Sequence, residues 1–251
     1  MTKIVGYCAL LYGKCYLDAA IRSVIDGVDE FWILHTEVGS HGHRTAAPSP
    51  DTRDELHDIA HAAAGRKLKW VTSQWTHEGE QRDRIFSLCP DASIVIPVDY
   101  DEIWQPHLLN FAINTALENP TVRRWRIPFR HYYRSFYRCI LHDPAYPHRL
   151  YNVSGDPAEE RTLDTTMAVN HMGYAIPPAL MRFKWEVHGH RGELRRDVDY
   201  FTDVYEANRQ TDCHPCGSIY WNAEPVDPFA RPFFMPDYMR EHPYAGMEVI
   251  P

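Results

Sequence analysis

The feature that most constrains this chain is a fourfold alternation of short apolar runs with amphipathic segments over residues 1–118. Ile4-Val5-Gly6-Tyr7, Phe31-Trp32-Ile33-Leu34, Leu68 to Thr72 and Ser93 to Val98 read as strands, each a brief run dominated by β-branched, aromatic and aliphatic residues. Between them lie helical patterns. Tyr16 to Asp26 sets Leu17, Ala20, Ile21, Val24 and Ile25 on one face, and Asp54 to Ala64 does the same with Leu56, Ile59, Ala60 and Ala63. Glu78 to Leu88 supplies a third helix, and Pro106 to Leu117 a fourth with Leu108, Leu109, Ala112, Ile113 and Ala116 inward. Pro106 suits a first helical turn, where its missing N–H would have had no partner. Strict alternation of this kind implies an α/β fold, a mostly parallel sheet flanked by helices. In such sheets ligands sit beyond the carboxyl ends of the strands, which singles out Tyr7-Cys8, His35-Thr36-Glu37 and the residues from Asp99 onward.

Past Asn119 the period changes. Arg124, Arg126 and Arg130 are interleaved with Trp125, Ile127 and Phe129, the mark of a strand with one basic and one apolar face. Tyr132 to Cys139 is expected to continue it as a β-hairpin arm. Beyond Tyr151 the pattern becomes irregular, with one helix expected around Asp197 to Gln210 and a proline-rich, extended C-terminal tail. A chain of 251 residues is expected to form one domain, 1–251, whose character shifts between 118 and 119.

The bulk chemistry excludes several classes. A formal net charge of −8 gives no general attraction to polyanions, so binding nucleic acid would require a local basic patch. The six cysteines are scattered and do not form a disulfide framework. Met1-Thr2-Lys3 runs straight into a strand without a cleavage site, and no apolar stretch approaches the ~20 residues needed to span a bilayer. The expectation is a soluble, cytoplasmic protein with no membrane span.

The densest chemical signal follows the fourth strand. Ile94-Val95-Ile96-Pro97-Val98 is uncharged, and then come Asp99-Tyr100-Asp101-Glu102. Three carboxylates at the end of a buried strand repel one another and lose hydration unless a cation is present. Hard divalent ions such as Mn2+ or Mg2+ take carboxylate and phosphate oxygens together. In an extended segment, Asp99 and Asp101 would point to the same side.

Val98-Asp99-Tyr100-Asp101-Glu102-Ile103-Trp104 resembles the (L/V)-D-x-D-E-(I/F) segment of GT-A-fold (Rossmann-like) nucleotide-sugar glycosyltransferases. Tyr16 to Val24 resembles the first helix of the family-2-like branch, and Asp29 to Leu34 its second strand. Asn170-His171-Met172-Gly173-Tyr174, Arg182-Phe183-Lys184-Trp185 and His188-Gly189-His190 resemble the C-terminal part of several GT-A families, among them the bisecting N-acetylglucosaminyltransferase-like group. The resemblance implies a nucleotide-sugar-binding half at 1–118 and an acceptor-side half with the tail at 119–251. It implies a metal held by Asp99 and Asp101 with a late histidine, His171 first and His188 or His190 as rivals. Lys184 and Arg182 would contact the donor diphosphate, Arg82 or Arg84 would face the donor, and Tyr7 and Tyr100 would line its site. Where many relatives end the second strand with an Asp that contacts the base, this chain has His35-Thr36-Glu37, and Glu37 is the candidate substitute. A UDP-sugar is the favoured donor.

Transfer with inversion would need a carboxylate base, and Asp164, Glu160, Glu186 and Glu159 are the candidates, Asp164 first. The acceptor is left open among a sugar, a small molecule and a modified base in DNA, as in bacteriophage DNA-modifying glycosyltransferases, which would place the protein in a bacterial cell or phage-infected host. Arg124, Arg126, Arg130, Tyr132 and Tyr133 are the candidate nucleic-acid contacts, since arginine takes phosphate and aromatic rings stack on bases. The alternative for the arm is an acceptor-side hairpin whose arginines pair with the chain's surplus acids or hold the donor's own phosphates. Two other readings stand beside this one: a zinc hydrolase using His188, His190, Cys213 and Cys216, and a non-catalytic carbohydrate- or nucleic-acid-binding module.

Overall fold

A computed structural model describes residues 2–141, 143, 146–217 and 220–246. The first half follows the expected alternation: β1 (Ile4–Leu10), α1 (Lys14–Val24), β2 (Glu30–His35), α2 (Arg53–Ala64), β3 (Leu68–Thr72), α3 (Glu78–Leu88), β4 (Ile94–Pro97), the two-residue β5 (Glu102–Ile103) and α4 (Pro106–Glu118). The second half adds β6 (Val122–Arg126), β7 (Phe129–Tyr133), β8 (Arg138–Ile140), β9 (His148–Asn152), β10 (Asp156–Thr162), β11 (Val169–Tyr174), α5 (Pro178–Val187) and β12 (Ala223–Pro225).

Two sheets result, ordered β10-β6-β9-β4-β1-β2-β3 and β12-β8-β7-β11-β5. The larger is mostly parallel: β3, β2, β1 and β4 run together, while β9 inserts antiparallel between β4 and β6. Its faces sort by the two-residue period of each strand. Phe31, Ile33, Ile94 and Ile96 join Leu17, Ile21, Leu56, Ala60, Leu108 and Ala112 of α1, α2 and α4 in the main core. Val5, Tyr7, Leu34 and Val95 turn the other way and meet Ile85 of α3. The sheet is therefore covered on both faces.

The basic strand differs from expectation. Instead of one continuous strand, the chain leaves the large sheet after Arg126 and enters the small one at Phe129, with Ile127-Pro128 as the crossing. Proline lacks the N–H that a continuous ladder would need there. The hairpin itself is present, β7 pairing antiparallel with β8. The helix expected around Asp197 to Gln210 is only a π-helical turn, Tyr200–Glu206, while α5 lies in a stretch that sequence pattern left irregular.

Gly13, before α1, has φ +125°, and a Cβ there would lie 2.2 Å from the Tyr100 ring. Glycine is required both for the backbone and for the aromatic packed over it. Gly13→Ala is expected to destabilise the fold by about 2–4 kcal/mol, combining left-handed strain with overpacking. Denaturant unfolding of the two proteins checks this; equal midpoints would contradict it.

Candidate functional site

The four residues of β4 are buried, and beyond Val98 the chain turns rather than staying extended: Glu102 N–H donates to the Asp99 carbonyl at 3.0 Å. This overturns the expectation that Asp99 and Asp101 share one side of an extended segment. The turn sends their carboxylates to different partners. Asp99 accepts from Arg82 of α3 at 2.7 Å and from Arg149 of β9 at 2.9 Å. Glu102, with no solvent exposure, takes the same Arg149 guanidinium at 2.5–2.9 Å. Asp101 accepts from Lys184 Nζ on Oδ2 at 3.1 Å, while Oδ1 faces His171 Nε2 at 3.8 Å.

The acids therefore do not depend on a metal for neutralisation, as the sequence alone suggested; Arg82, Arg149 and Lys184 supply three positive charges. Burial by itself would raise Asp99, but Arg82 and Arg149 outweigh it and hold its carboxyl down at about 2. Each Asp99 oxygen accepts from one arginine, which fixes this side chain in the cleft wall.

Three elements converge on Asp101. β5 pairs antiparallel with β11, His171 lying opposite Glu102, and Met172 N–H donates to the Asp101 carbonyl at 2.7 Å. That short ladder brings in a histidine seventy positions away. α5 then lays Lys184 across Asp101 and the Gly173 carbonyl, the latter at 3.3 Å. A Cβ on Gly173 would stand 2.6 Å from Asp101 Oδ2, His171 Nε2 and Lys184 Nζ alike. Glycine leaves one small polar cradle ringed by an oxygen, an imidazole nitrogen and an ammonium.

The cradle opens into a cleft lined by Tyr12, Glu78, Arg82, Asp99, Tyr100, Asp101, His171, Lys184 and His188, at the carboxyl ends of the parallel strands. A second groove continues from it over Leu11, Thr36, Val38 and Val187 and includes Glu37, His35 and Arg53. Arg82, Asp99, Tyr100, Asp101, His171, Lys184 and His188 thus come together, with Glu37 next door.

Other expected residues do not join them. Tyr7 points into the core against α3. Arg182 is exposed and stacks on Phe201 at 3.9 Å, and Arg84 is exposed and bonds Ser87. The candidate bases also lie outside both clefts: Asp164 and Glu159 are exposed, Glu160 pairs with Arg124, Arg126 and His148, and Glu186 accepts from Thr45. The arginine arm is committed internally. Arg124 and Arg126 meet Glu160, Arg130 donates to the carbonyls of Pro232 and Thr166 at 2.7 Å each, and Tyr132 and Tyr133 have no exposure with which to stack on a base. Pairing with the chain's own acids, the alternative reading, describes Arg124 and Arg126. His188, His190, Cys213 and Cys216 form no metal-holding group among the described residues, and all six cysteines are free.

Sequence reasoning missed Arg149. Its only signal was a basic residue in a short strand, with nothing to say that this strand would slot beside β4.

No family model and no curated protein matches the chain. Among solved structures it is similar to glucosyl-3-phosphoglycerate synthase from Mycobacterium tuberculosis in complex with Mn2+, UDP-glucose and phosphoglyceric acid, at 18% identity and a TM-score of 0.39 over 51% of this chain and 44% of that one. It is also similar to S. aureus TarS (10% identity, TM-score 0.46, 74% and 64% covered). A third is a putative nucleotide-diphospho-sugar transferase from Desulfovibrio desulfuricans G20 (13%, TM-score 0.37, 62% and 66%). The chain spans less than half the length of the first of these. Likenesses at this level transfer no activity; the chain's own residues must carry it. No helix among the described residues is long and apolar enough to cross a membrane.

Two outcomes follow from the charges. Arg149→Met leaves Glu102 buried without its bidentate partner, and breaking a buried pair from one side costs about 3–5 kcal/mol; denaturant unfolding should show that loss, and a change under 1 kcal/mol would refute the pairing. Secondly, burial holds six histidines, His35, His148, His171, His188, His214 and His242, below their ordinary range, His188 at about 4. Below about pH 6.5 the unfolded chain binds protons that the folded one refuses, so stability drops as pH falls toward 4. Glu102, pushed up to about 8 by burial, titrates in the opposite sense and offsets part of this loss. The melting temperature should fall steadily from pH 7 to pH 5; a flat profile would refute this.

Proposed function

We propose that the protein is a nucleotide-sugar glycosyltransferase of GT-A type that moves a sugar from a UDP-sugar to an acceptor hydroxyl. The observation that carries this reading is the convergence of Asp101, His171 and Lys184 around Gly173 at the carboxyl ends of the parallel strands. A donor diphosphate needs positive charge and a hydrogen-bonding floor, placed where a parallel α/β sheet presents its ligand site. Lys184 supplies the charge, and the groove holding Glu37 offers room for the nucleoside.

The residues fit a divalent ion. Lys184 occupies Asp101 Oδ2 and leaves Oδ1 toward His171 Nε2 at 3.8 Å, within the roughly 3–4 Å expected of two ligands whose bonds to one ion are each about 2.1 Å. Two protein ligands suffice where phosphate oxygens and water complete the shell, and no group of three or more such side chains occurs among the described residues. Mn2+ or Mg2+ held there would neutralise the departing diphosphate. Asp101 and His171 are its proposed ligands, in place of the Asp99–Asp101 pair.

For an inverting transfer, the proton acceptors that line the cleft apart from the Asp99, Asp101 and His171 cluster are His77, Glu78 and His188. Glu78 is paired to Arg82 at 2.5 Å, and burial lowers His188 to about 4, so its imidazole is neutral at pH 7 but a weak base. The acceptor is a hydroxyl compound that reaches this cleft; nothing in the arginine arm favours DNA over a sugar or small molecule.

A thermal-shift screen of UDP-, GDP-, ADP- and dTDP-sugars with and without Mn2+ tests the class. A Mn2+-dependent rise with one nucleotide group is expected, and no rise with any would sink the reading. Asp101→Asn and Gly173→Ala should each abolish that rise while Asp99→Asn chiefly lowers the starting melting temperature. Retention of the full rise in Asp101→Asn would remove Asp101 from the site.

A further inference from the structure

Behind the cradle, away from the cleft, lies a chain of buried polar groups that the proposed reaction does not use. His171 Nδ1 and His131 Nδ1 stand 2.7 Å apart, and His131 Nε2 lies 2.9 Å from Asp143 Oδ2. Both His131 and Asp143 are buried, and Trp221 stacks on the His131 ring with centroids 4.8 Å apart. The Asp143 contact is close but does not have in-line hydrogen-bond geometry, so it acts on the Nε2 proton chiefly as a nearby negative charge.

The proton count along this chain is constrained. Two imidazole nitrogens 2.7 Å apart share one proton: one ring donates and the other accepts. The Asp143 carboxylate favours the His131 tautomer with its proton on Nε2, which leaves His131 Nδ1 with a lone pair. That lone pair accepts from His171 Nδ1–H. With the His171 proton on Nδ1, the other nitrogen of the neutral ring, Nε2, carries a lone pair. Nε2 is the atom that borders the cradle. Reversing the His131 tautomer would put a proton on His171 Nε2, where Asp101 Oδ1 at 3.8 Å is too distant to accept it well.

We propose that Asp143 and His131 are positioning residues that fix the tautomer of His171, so that its Nε2 lone pair faces the cradle ready to bind a divalent cation. The proposal rests on the reading of Asp101 and His171 as metal ligands. A histidine ligand whose other nitrogen donates to a fixed partner gains both orientation and basicity, and removing such partners typically weakens metal affinity by about 10–100-fold. Here the fixing carboxylate acts through a second imidazole. The link is built across β7 and β11, whose parallel register sets His131 beside His171.

The test measures Mn2+ affinity, not turnover. Free Mn2+ is counted by electron paramagnetic resonance during titration of the full chain with UDP present, well below the melting temperature of every variant. Wild type is compared with His131→Phe, Asp143→Asn, Asp143→Glu, His171→Ala and Asp101→Asn. His131→Phe keeps the stacking on Trp221 but removes the acceptor, and should weaken Mn2+ by tenfold or more. Asp143→Asn should weaken it less, and Asp143→Glu, which restores the charge, should recover most of the loss. If His171→Ala and Asp101→Asn weaken Mn2+ while His131→Phe and Asp143→Asn stay within twofold of wild type, the tautomer proposal is overturned and the ligand reading survives. If His171→Ala and Asp101→Asn also bind like wild type, the ligand reading itself is wrong and takes the proposal with it. A fall in melting temperature without a change in Mn2+ affinity marks a purely structural role and likewise overturns the proposal.

Discussion

Three carboxylates within four residues at the end of a buried strand can stay there only if positive charge reaches them, and that requirement ties the whole molecule together. Each compensating group arrives from a different element: Arg82 from α3, Arg149 from β9, Lys184 from α5. Two of these elements belong to the second half of the chain. The half-sheet at 1–118 is thus electrostatically incomplete without residues beyond it. Desolvating an unpaired carboxylate costs several kcal/mol, so the same contacts that shape the cleft also couple the two halves. Buried pairs of this sort confer definition more surely than net stability, because hydrophobic replacements of equal volume often serve as well.

The first half was legible because its signals are local. Helix periodicity in α1, α2 and α4, and brief apolar runs in β1 to β4, depend on neighbours within a few positions, and β3 and α3 fall where the pattern put them. What failed depends on partners far away. Ile127-Pro128 breaks a clean two-residue alternation because the chain changes sheets there. Arg149 is unremarkable in sequence and becomes central only because β9 inserts next to β4. α5 hides between Pro177 and a run of aromatics, and the π-helical turn at Tyr200–Glu206 is too short and too tightly packed to keep an ordinary helical repeat. His171 was reached through family resemblance and not through spacing, since no local rule links it to Asp101.

The arginine-aromatic arm shows how composition misleads when burial is unknown. Six arginines and as many aromatics between Asn119 and Leu141 look like a nucleic-acid surface. In the folded chain the aromatics at Tyr132, Tyr133 and Phe136 are core, and the arginines donate to backbone carbonyls, Glu160 or, for Arg138, the Asn208 side chain. Arg134, itself buried at φ 56°, donates to the carbonyl of Tyr205 under that tyrosine's ring. Arginine is well suited to this use: its planar fork caps exposed carbonyls of irregular segments, and the second half is rich in such segments. The density of arginine there follows from the scarcity of regular hydrogen-bonded structure as much as from any ligand.

The same distinction applies inside the acidic turn. An Asp-x-Asp spacing suggests two equivalent ligands, yet a turn is not a strand, and the i to i+3 hydrogen bond from Glu102 to Asp99 rotates the two carboxylates apart. Asp99 is held down by two guanidiniums, one on each oxygen. Asp101 shares one oxygen with Lys184 and keeps the other toward His171. Both aspartates line the cleft, but only Asp99 is gripped by two guanidiniums. The division follows from which cations the fold can deliver: arginines, always charged and bidentate, lock the anchor, while a single-point ammonium leaves its partner room to bind something more.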